Sequence, residues 1–151
     1  MRGWRCHWVV ACLLLVTGAQ AGAEGVASPK GLPGLVALDA LPVPEDPVLA
    51  LGRELWAEPC MNCHNGNRYT GAPKITATEA WAPRIAKGLP QLLVHATEGF
   101  VGPKFTEMPA RGGNPDLTDR QVAAALAFMV WASGGAEDAL AYVQSTDFPR
   151  D

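Results

Sequence analysis

Apolar positions recur along this chain at helical spacing, and Val, Ile, Thr and aromatic residues nowhere alternate over a length that would build a large sheet. The first apolar block, Trp8 to Val16, follows Arg2 and Arg5 and precedes Ala19-Gln20-Ala21. This is the plan of a secretory signal peptide over residues 1–21, and the run is too short to span a bilayer. Cleavage is expected after Ala21, with Ala23 as the alternative, and the exported chain is expected in the periplasm. Val9-Val10-Ala11-Cys12 resembles a lipoprotein cleavage box, but apolar residues continue through Leu13, Leu14 and Leu15, which argues against a lipid anchor at Cys12. Residues 22–45, with Pro29, Pro33, Pro42 and Pro44, read as a linker or a strapped-down extended arm. Leu32, Leu35, Val36, Leu38 and Leu41 could lay part of it on the domain.

A helical pattern begins at Asp46, a cap residue followed by Pro47 at the first helical position. Val48, Leu51, Leu55 and Trp56 repeat at helical spacing, Gly52 lies inside the helix, and Glu58-Pro59 predicts its end. Loops are expected from Asn62 to Ile75. Thr76 with Glu79 reads as a capping box for a short helix through Lys87, made irregular by Pro83 and ended by Gly88. Pro90 opens another helix, with Leu89, Leu92, Leu93 and Ala96 inward, which ends at Gly99. Residues 100–116, rich in Gly and Pro, read as a loop. The strongest helix follows: Thr118 and Gln121 form a capping box with Leu117 as staple, and two stripes run along it. Val122, Ala125, Leu126 and Met129 make one, and Ala124, Phe128 and Trp131 the other, so both sides are buried. Gly134-Gly135 end it, and residues 135–151 read as a polar tail with a short helix around Asp138 to Val143. The prediction is one all-α, loop-rich domain over 46–134.

Composition narrows the function classes. With 48% hydrophobic and 18% charged residues, the chain has enough apolar side chains for a modest core. Twelve basic residues against 15 acidic ones, a net charge of −3, argue against a nucleic-acid or anionic-membrane partner, both of which call for a basic face. Cys6 and Cys12 lie in the signal, so the exported chain keeps Cys60 and Cys63 alone, too close together to serve as a disulfide framework.

Cys60-Met61-Asn62-Cys63-His64 is C-x-x-C-H, the attachment sequence of a c-type haem. Two thiols one helical turn apart reach two vinyl groups on one porphyrin edge, and the following His turns its ring toward the iron. Three other readings stand beside it. One is a plain Cys60–Cys63 disulfide. Another is thiol redox, suggested by Trp56-Ala57-Glu58-Pro59-Cys60 but lacking a βαβ pattern. The third is zinc, for which only His95 is a further candidate. A six-coordinate haem needs a sixth ligand, and the candidates are Met61, Met108, Met129 and His95. Met61 sits inside the attachment turn, Met129 falls on a core stripe, and His95 lies on a short helix. Met108-Pro109 lies in a loop that can arch over the ring, so Met108 is favoured, giving a His64/Met108 pair suited to electron transfer.

With these residues in view, the chain resembles a class I cytochrome c, and most of all the small bacterial cytochrome c5 group. The resemblance rests on Gly52-Arg53-Glu54-Leu55-Trp56 before the motif, Gly71-Ala72-Pro73-Lys74-Ile75 after it, Trp81 to Gly88, and Met108-Pro109-Ala110-Arg111-Gly112-Gly113-Asn114. It covers about residues 46–134 in family order. The group often has a further Cys pair near the methionine loop, and this chain has none. The resemblance implies a fold wrapped around one covalent haem c, with Cys60 and Cys63 as thioethers and iron between His64 and Met108. It implies that the His64 Nδ1 proton goes to the Pro73 carbonyl, that Trp81 and Arg84 lie near the haem propionates, and that Gly52 meets Phe128 where the first and last helices cross. Phe100 and Phe105 would wall the haem. Lys74, Lys104 and Arg111 would either ring its exposed edge or stand as solvated charge.

The function expected is a periplasmic one-electron carrier with no small-molecule substrate, an electron-transfer protein rather than an enzyme. It would touch redox protein partners through the haem edge near Met61, Asn62, Ala72 and Ala110, and such contacts are small and weak. The alternatives are an electron-entry subunit docked on a larger oxidoreductase, such as a membrane-bound respiratory complex, and a haem enzyme or sensor with a displaceable sixth ligand.

Overall fold

Asp46 starts the first helix as expected. Its Oδ1 accepts the backbone N–H groups of Val48 and Leu49 at 2.8 and 3.0 Å, and Pro47 takes the first helical position of α1, Pro47–Leu55. In this computed structural model, which describes residues 26–103 and 106–150, the chain does not stop at Glu58-Pro59. It widens to i→i+5 bonding over Trp56–Cys60 and returns to α geometry in α2, Met61–His64. Proline has no N–H to give and its ring crowds the carbonyl one turn back, and the wider turn takes up both. The signal peptide read over 1–21, with its cleavage points, lies outside the described residues, as do Lys104 and Phe105.

Three more helices follow in order: α3, Thr78–Ile85, with Pro83 inside it; α4, Leu89–Glu98; and α5, Asp119–Ala132. Gly88 and Gly99, at φ 85° and 92°, bound α4 in a conformation that suits glycine. The stretch read as loop after α4 contains a minimal antiparallel ladder, β1 (Phe100–Val101) against β2 (Glu107–Met108). The capping box of α5 is present in full. Thr118 Oγ1 accepts the Gln121 N–H at 3.2 Å, and Gln121 Oε1 accepts the Thr118 N–H at 2.8 Å.

Every residue from Val122 to Ala132 is buried, and the two stripes of α5 have different neighbours. Ala124 and Phe128 meet α1 at Gly52, where a Cβ would come within 2.0 Å of the Ala124 carbonyl oxygen. Trp56 and Trp131 extend this contact around Phe128, with ring centroids at 6.4 and 6.0 Å. The other stripe faces the cleft described below.

Two further expectations are corrected. Thr76 does not cap α3: Ala77 precedes the helix and no side chain caps it. Instead Thr76 is fully buried at φ 71°, its Oγ1 accepting the Leu32 N–H at 2.8 Å and its own N–H donating to Ser133 Oγ at 3.0 Å. The tail carries the short helix expected around Asp138 to Val143, but it is not a polar appendage. It forms α6, Ala136–Gln144, which packs on α5 through Ala139 and Tyr142, and Phe148 folds back edge-on to Tyr142 at 5.6 Å. Its polarity comes from residues such as Glu137 and Asp138 in the first turn, where carboxylates favour the helix dipole. Of the two readings of the arm, the strapped one holds for residues 26–45. Val36 and Leu41 are buried, and the Arg53 guanidinium reaches the carbonyls of Leu38 and Leu41 at 2.7 and 3.2 Å. No helix among the described residues is long and apolar enough to cross a membrane.

The Thr76–Ser133 bond gives a direct stability prediction. Ser133→Ala leaves a buried backbone N–H without a partner, which costs about 1–3 kcal/mol. Urea unfolding should show a lower midpoint at unchanged slope, and an unchanged midpoint would mean that this N–H finds another acceptor.

Candidate functional site

The wide turn and α2 carry Cys60, Cys63 and His64 on consecutive helical backbone, so both thiols and the imidazole line one cleft of about 550 Å³. The thiols are half-buried and not bonded to each other. Burial, reinforced by the neighbouring Cys63, pushes the Cys60 thiol up to about 11. Redox-active cysteines are held in the opposite direction, as thiolates, so nothing at Cys60 favours the thiol-exchange reading.

His64 is buried, and its Nδ1 donates to the Pro73 carbonyl at 2.8 Å. Burial holds the ring below the usual imidazole range, and the Arg84 charge acts in the same direction, while the Pro73 bond opposes both. The ring is therefore neutral at neutral pH, with Nδ1 committed to Pro73 and Nε2 left as a potential ligand atom. The next carbonyl along, that of Lys74, accepts the Trp81 indole N–H at 2.9 Å, and the Trp81 ring lies 6.2 Å from the His64 ring. Two aromatic donors thus grip adjacent carbonyls of a loop that has no ladder of its own. Trp81 and Arg84 both line the cleft, and the Arg84 guanidinium also bonds back to the Ala80 carbonyl of its own helix.

Met108 ends β2 half-buried, paired in register with Phe100, and lines the same cleft. The turn after it, Ala110–Gly113, is braced from two sides. Gly112 approaches Pro59 so closely that a Cβ would lie 3.0 Å from the proline Cβ. Arg111 donates to the Leu117 carbonyl at 2.7 Å and to Asp119 at 2.6 Å. Packing and an ion pair hold this loop in a chain that lacks the extra Cys pair. Of the other sixth-ligand candidates, Met129 and His95 also line the cleft and Met61 does not. His95 is stacked on Phe100 at 4.3 Å, and its Nε2 lies 3.1 Å from the Gln91 side-chain amide.

The remaining walls come from Leu92 and Ala96 of α4 and from the Val122, Ala125, Leu126 and Met129 stripe of α5. This donor set fits a haem. Two thiols stand one turn apart, a neutral imidazole is already oriented by a carbonyl, a thioether borders the same space, and the walls are mostly apolar. Among the described residues no three His, Cys, Asp or Glu side chains are grouped so that they could hold a metal ion together, so nothing supports the zinc reading.

Two of the basic residues expected at the rim have partners within the chain, although Arg111 also lines the cleft. Lys74 turns to the arm, donating to the carbonyls of Leu32 and Gly34, and Arg111 is spent on Asp119 and Leu117. Nothing in the local sequence marks either choice, because the partners lie elsewhere in the chain or in the turn geometry.

Residues 47–129 match the family model described as cytochrome C oxidase, cbb3-type, subunit III. The chain is 44% identical over 84 residues to cytochrome c-555 of Chlorobaculum thiosulfatiphilum, covering 56% of this chain and 95% of that protein. It is also 44% identical over 84 residues to cytochrome c-555 of Chlorobaculum tepidum, covering 76% of that protein. A solved structure of an electron transfer complex of nitrite reductase with cytochrome c contains a similar chain. That chain is 34% identical with a TM-score of 0.47, over 58% of this chain and 96% of its own length.

Proposed function

Since the chain belongs to the class I cytochromes c, which carry covalent haem c, we propose that it is a periplasmic one-electron carrier in which Cys60 and Cys63 form the thioethers and His64 and Met108 bind the iron. The observation that carries this reading is the convergence of two thiols, a carbonyl-oriented imidazole and a methionine on one apolar cleft. When bound, the haem supplies a one-electron iron couple. The chain supplies the setting. Pro73 orients His64, the braced turn after Met108 limits movement of the thioether, and the α4 and α5 walls keep water away. A neutral thioether and an apolar surround favour the ferrous form and raise the reduction potential. The proposed activity moves an electron and no proton, and it calls on no acid–base side chain. Redox partners would approach at exposed Asn62 and Ala110, beside half-buried Met61 and Ala72.

Met108→Ala tests the ligand assignment. The reduced wild-type protein should ignore carbon monoxide at neutral pH. The variant should bind it, and its potential should fall by at least about 59 mV, a tenfold change in preference for a one-electron couple. Unchanged potential and ligand binding would move the assignment to Met129 or His95. Export is tested separately by the N-terminus of the protein recovered from the periplasm, expected at Gly22 or, after the alternative cleavage, at Glu24.

The description of the matched family as an oxidase subunit favours one second reading, an electron-entry subunit of a membrane-bound oxidoreductase. Stable co-purification of the full chain with such a complex would support it over a free carrier.

A further inference from the structure

The family match begins at residue 47, so the arm before it lies outside the shared domain. The arm nevertheless bonds to both ends of the segment that holds the His64 acceptor. At one end, the Val36 N–H donates to the carbonyl of Asn65, the residue after His64, at 2.8 Å. At the other, the N–H groups of Ser28 and Leu32 donate to the Thr76 carbonyl and Oγ1, each at 2.8 Å. Between them, the half-buried Lys74 donates to the carbonyls of Leu32 and Gly34, the latter at 2.6 Å. Its stem passes over Gly66, where a Cβ would lie 2.9 Å from Lys74 Cε and 3.0 Å from the Gly34 carbonyl oxygen. Gly31 and Thr76 approach as closely, since a Cβ on Gly31 would stand 3.1 Å from Thr76 Oγ1. A lysine and a threonine at φ 71° are thus committed to a segment that the shared domain lacks.

We propose that residues 28–36 are a strap that holds the Pro73 carbonyl against His64 and so sets the reduction potential, with Lys74 and Thr76 as its positioning residues. The proposal rests on the reading of His64 as the axial ligand. Pro73 sits in a loop without regular structure, and its carbonyl is placed by its neighbours: Lys74 and Thr76 tied to the arm, Ile75 N–H bonded to the His64 carbonyl at 2.8 Å. A firm Nδ1–H···O=C bond makes the imidazole a more basic ligand, which favours the ferric form. Loosening the strap therefore raises the potential. Loss of the Lys74 charge by itself acts in the opposite direction, because a nearby cation disfavours the more positive ferric state.

The experiment uses the full-length haem-loaded protein with Lys74→Met and Thr76→Ala, against Lys74→Arg and Thr76→Ser, which keep a donor and a hydroxyl. Potentiometry should show a higher potential in both test variants and a return toward wild type in both conservative ones. Exchange of the His64 Nδ1 proton, followed by NMR in the reduced state, should quicken about tenfold, as expected from weakening one hydrogen bond. An unchanged or lowered potential in Thr76→Ala, which leaves the charge in place, overturns the strap, as does unquickened His64 Nδ1 exchange in Lys74→Met or an equal shift in a conservative counterpart. In the oxidised wild type, the His64 ring protons should be paramagnetically shifted. If they are not, the ligand reading itself has failed, whatever the variants show.

Discussion

Cells expressing the chain with Cys60→Ala and Cys63→Ala together are expected to accumulate no folded protein. The cleft beside these thiols measures about 550 Å³ and is walled by Leu92, Ala96, Leu126 and Met129 among others. Without haem these apolar walls face water, and each large apolar side chain so exposed loses about 1.5–3 kcal/mol of burial. Domains exceed unfolding by only about 5–15 kcal/mol, so even a part of that loss unfolds the chain. Covalent attachment matters because it keeps the haem in place without a high free haem concentration to drive rebinding. Haem staining of a denaturing gel and circular dichroism of the purified variant check the prediction. A stable helical protein without haem would show that α1, α5 and α6 hold a core by themselves.

Gly52→Ala is the second large effect, and it arises far from the chemistry. The new methyl would sit 2.0 Å from the Ala124 carbonyl oxygen, 2.6 Å from its carbon and 3.1 Å from Phe128 Cβ. The obstacle is backbone on a fully buried helix, so α1 and α5 must move apart. That separation opens the contact among Trp56, Phe128 and Leu49, all fully buried. Alanine gains about 1 kcal/mol of helix propensity over glycine. Overpacking against backbone costs about 3 kcal/mol or more, so the net effect is destabilising. A melting temperature lower by roughly 10 °C is expected for the haem-loaded protein. A melting temperature at or above wild type would mean that the helices do not cross this closely. Because α1 leads directly into the turn bearing Cys60 and Cys63, the variant should also take up haem less completely during maturation.

The helices written as local patterns were legible. Asp46-Pro47 and Thr118 with Gln121 mark their starts because each cap satisfies donors within three residues. The two stripes of α5 were legible for the same reason: periodicity alone separates the side facing Gly52 from the side facing the cleft. Thr76 shows where such reasoning misleads. Thr76 and Glu79 have capping-box spacing, but the buried N–H of Leu32 and the hydroxyl of Ser133 claim Thr76 from 44 and 57 residues away. The tail misled in a similar way, since its surface residues outnumber the few, Ala139, Tyr142 and Phe148, that dock it.

What this sequence determined by itself is what spacing along one short stretch can encode: the C-x-x-C-H turn, the helix caps and the faces of α5. Only the tertiary structure decided that the helix runs on through Pro59, that Lys74 points into the arm instead of toward solvent, and that the arm and α6 belong to the domain. Those outcomes depend on which backbone carbonyls and apolar faces lose water when distant segments meet. A donor such as Lys74 Nζ takes whichever acceptors burial leaves without solvent, and a local pattern carries no record of them.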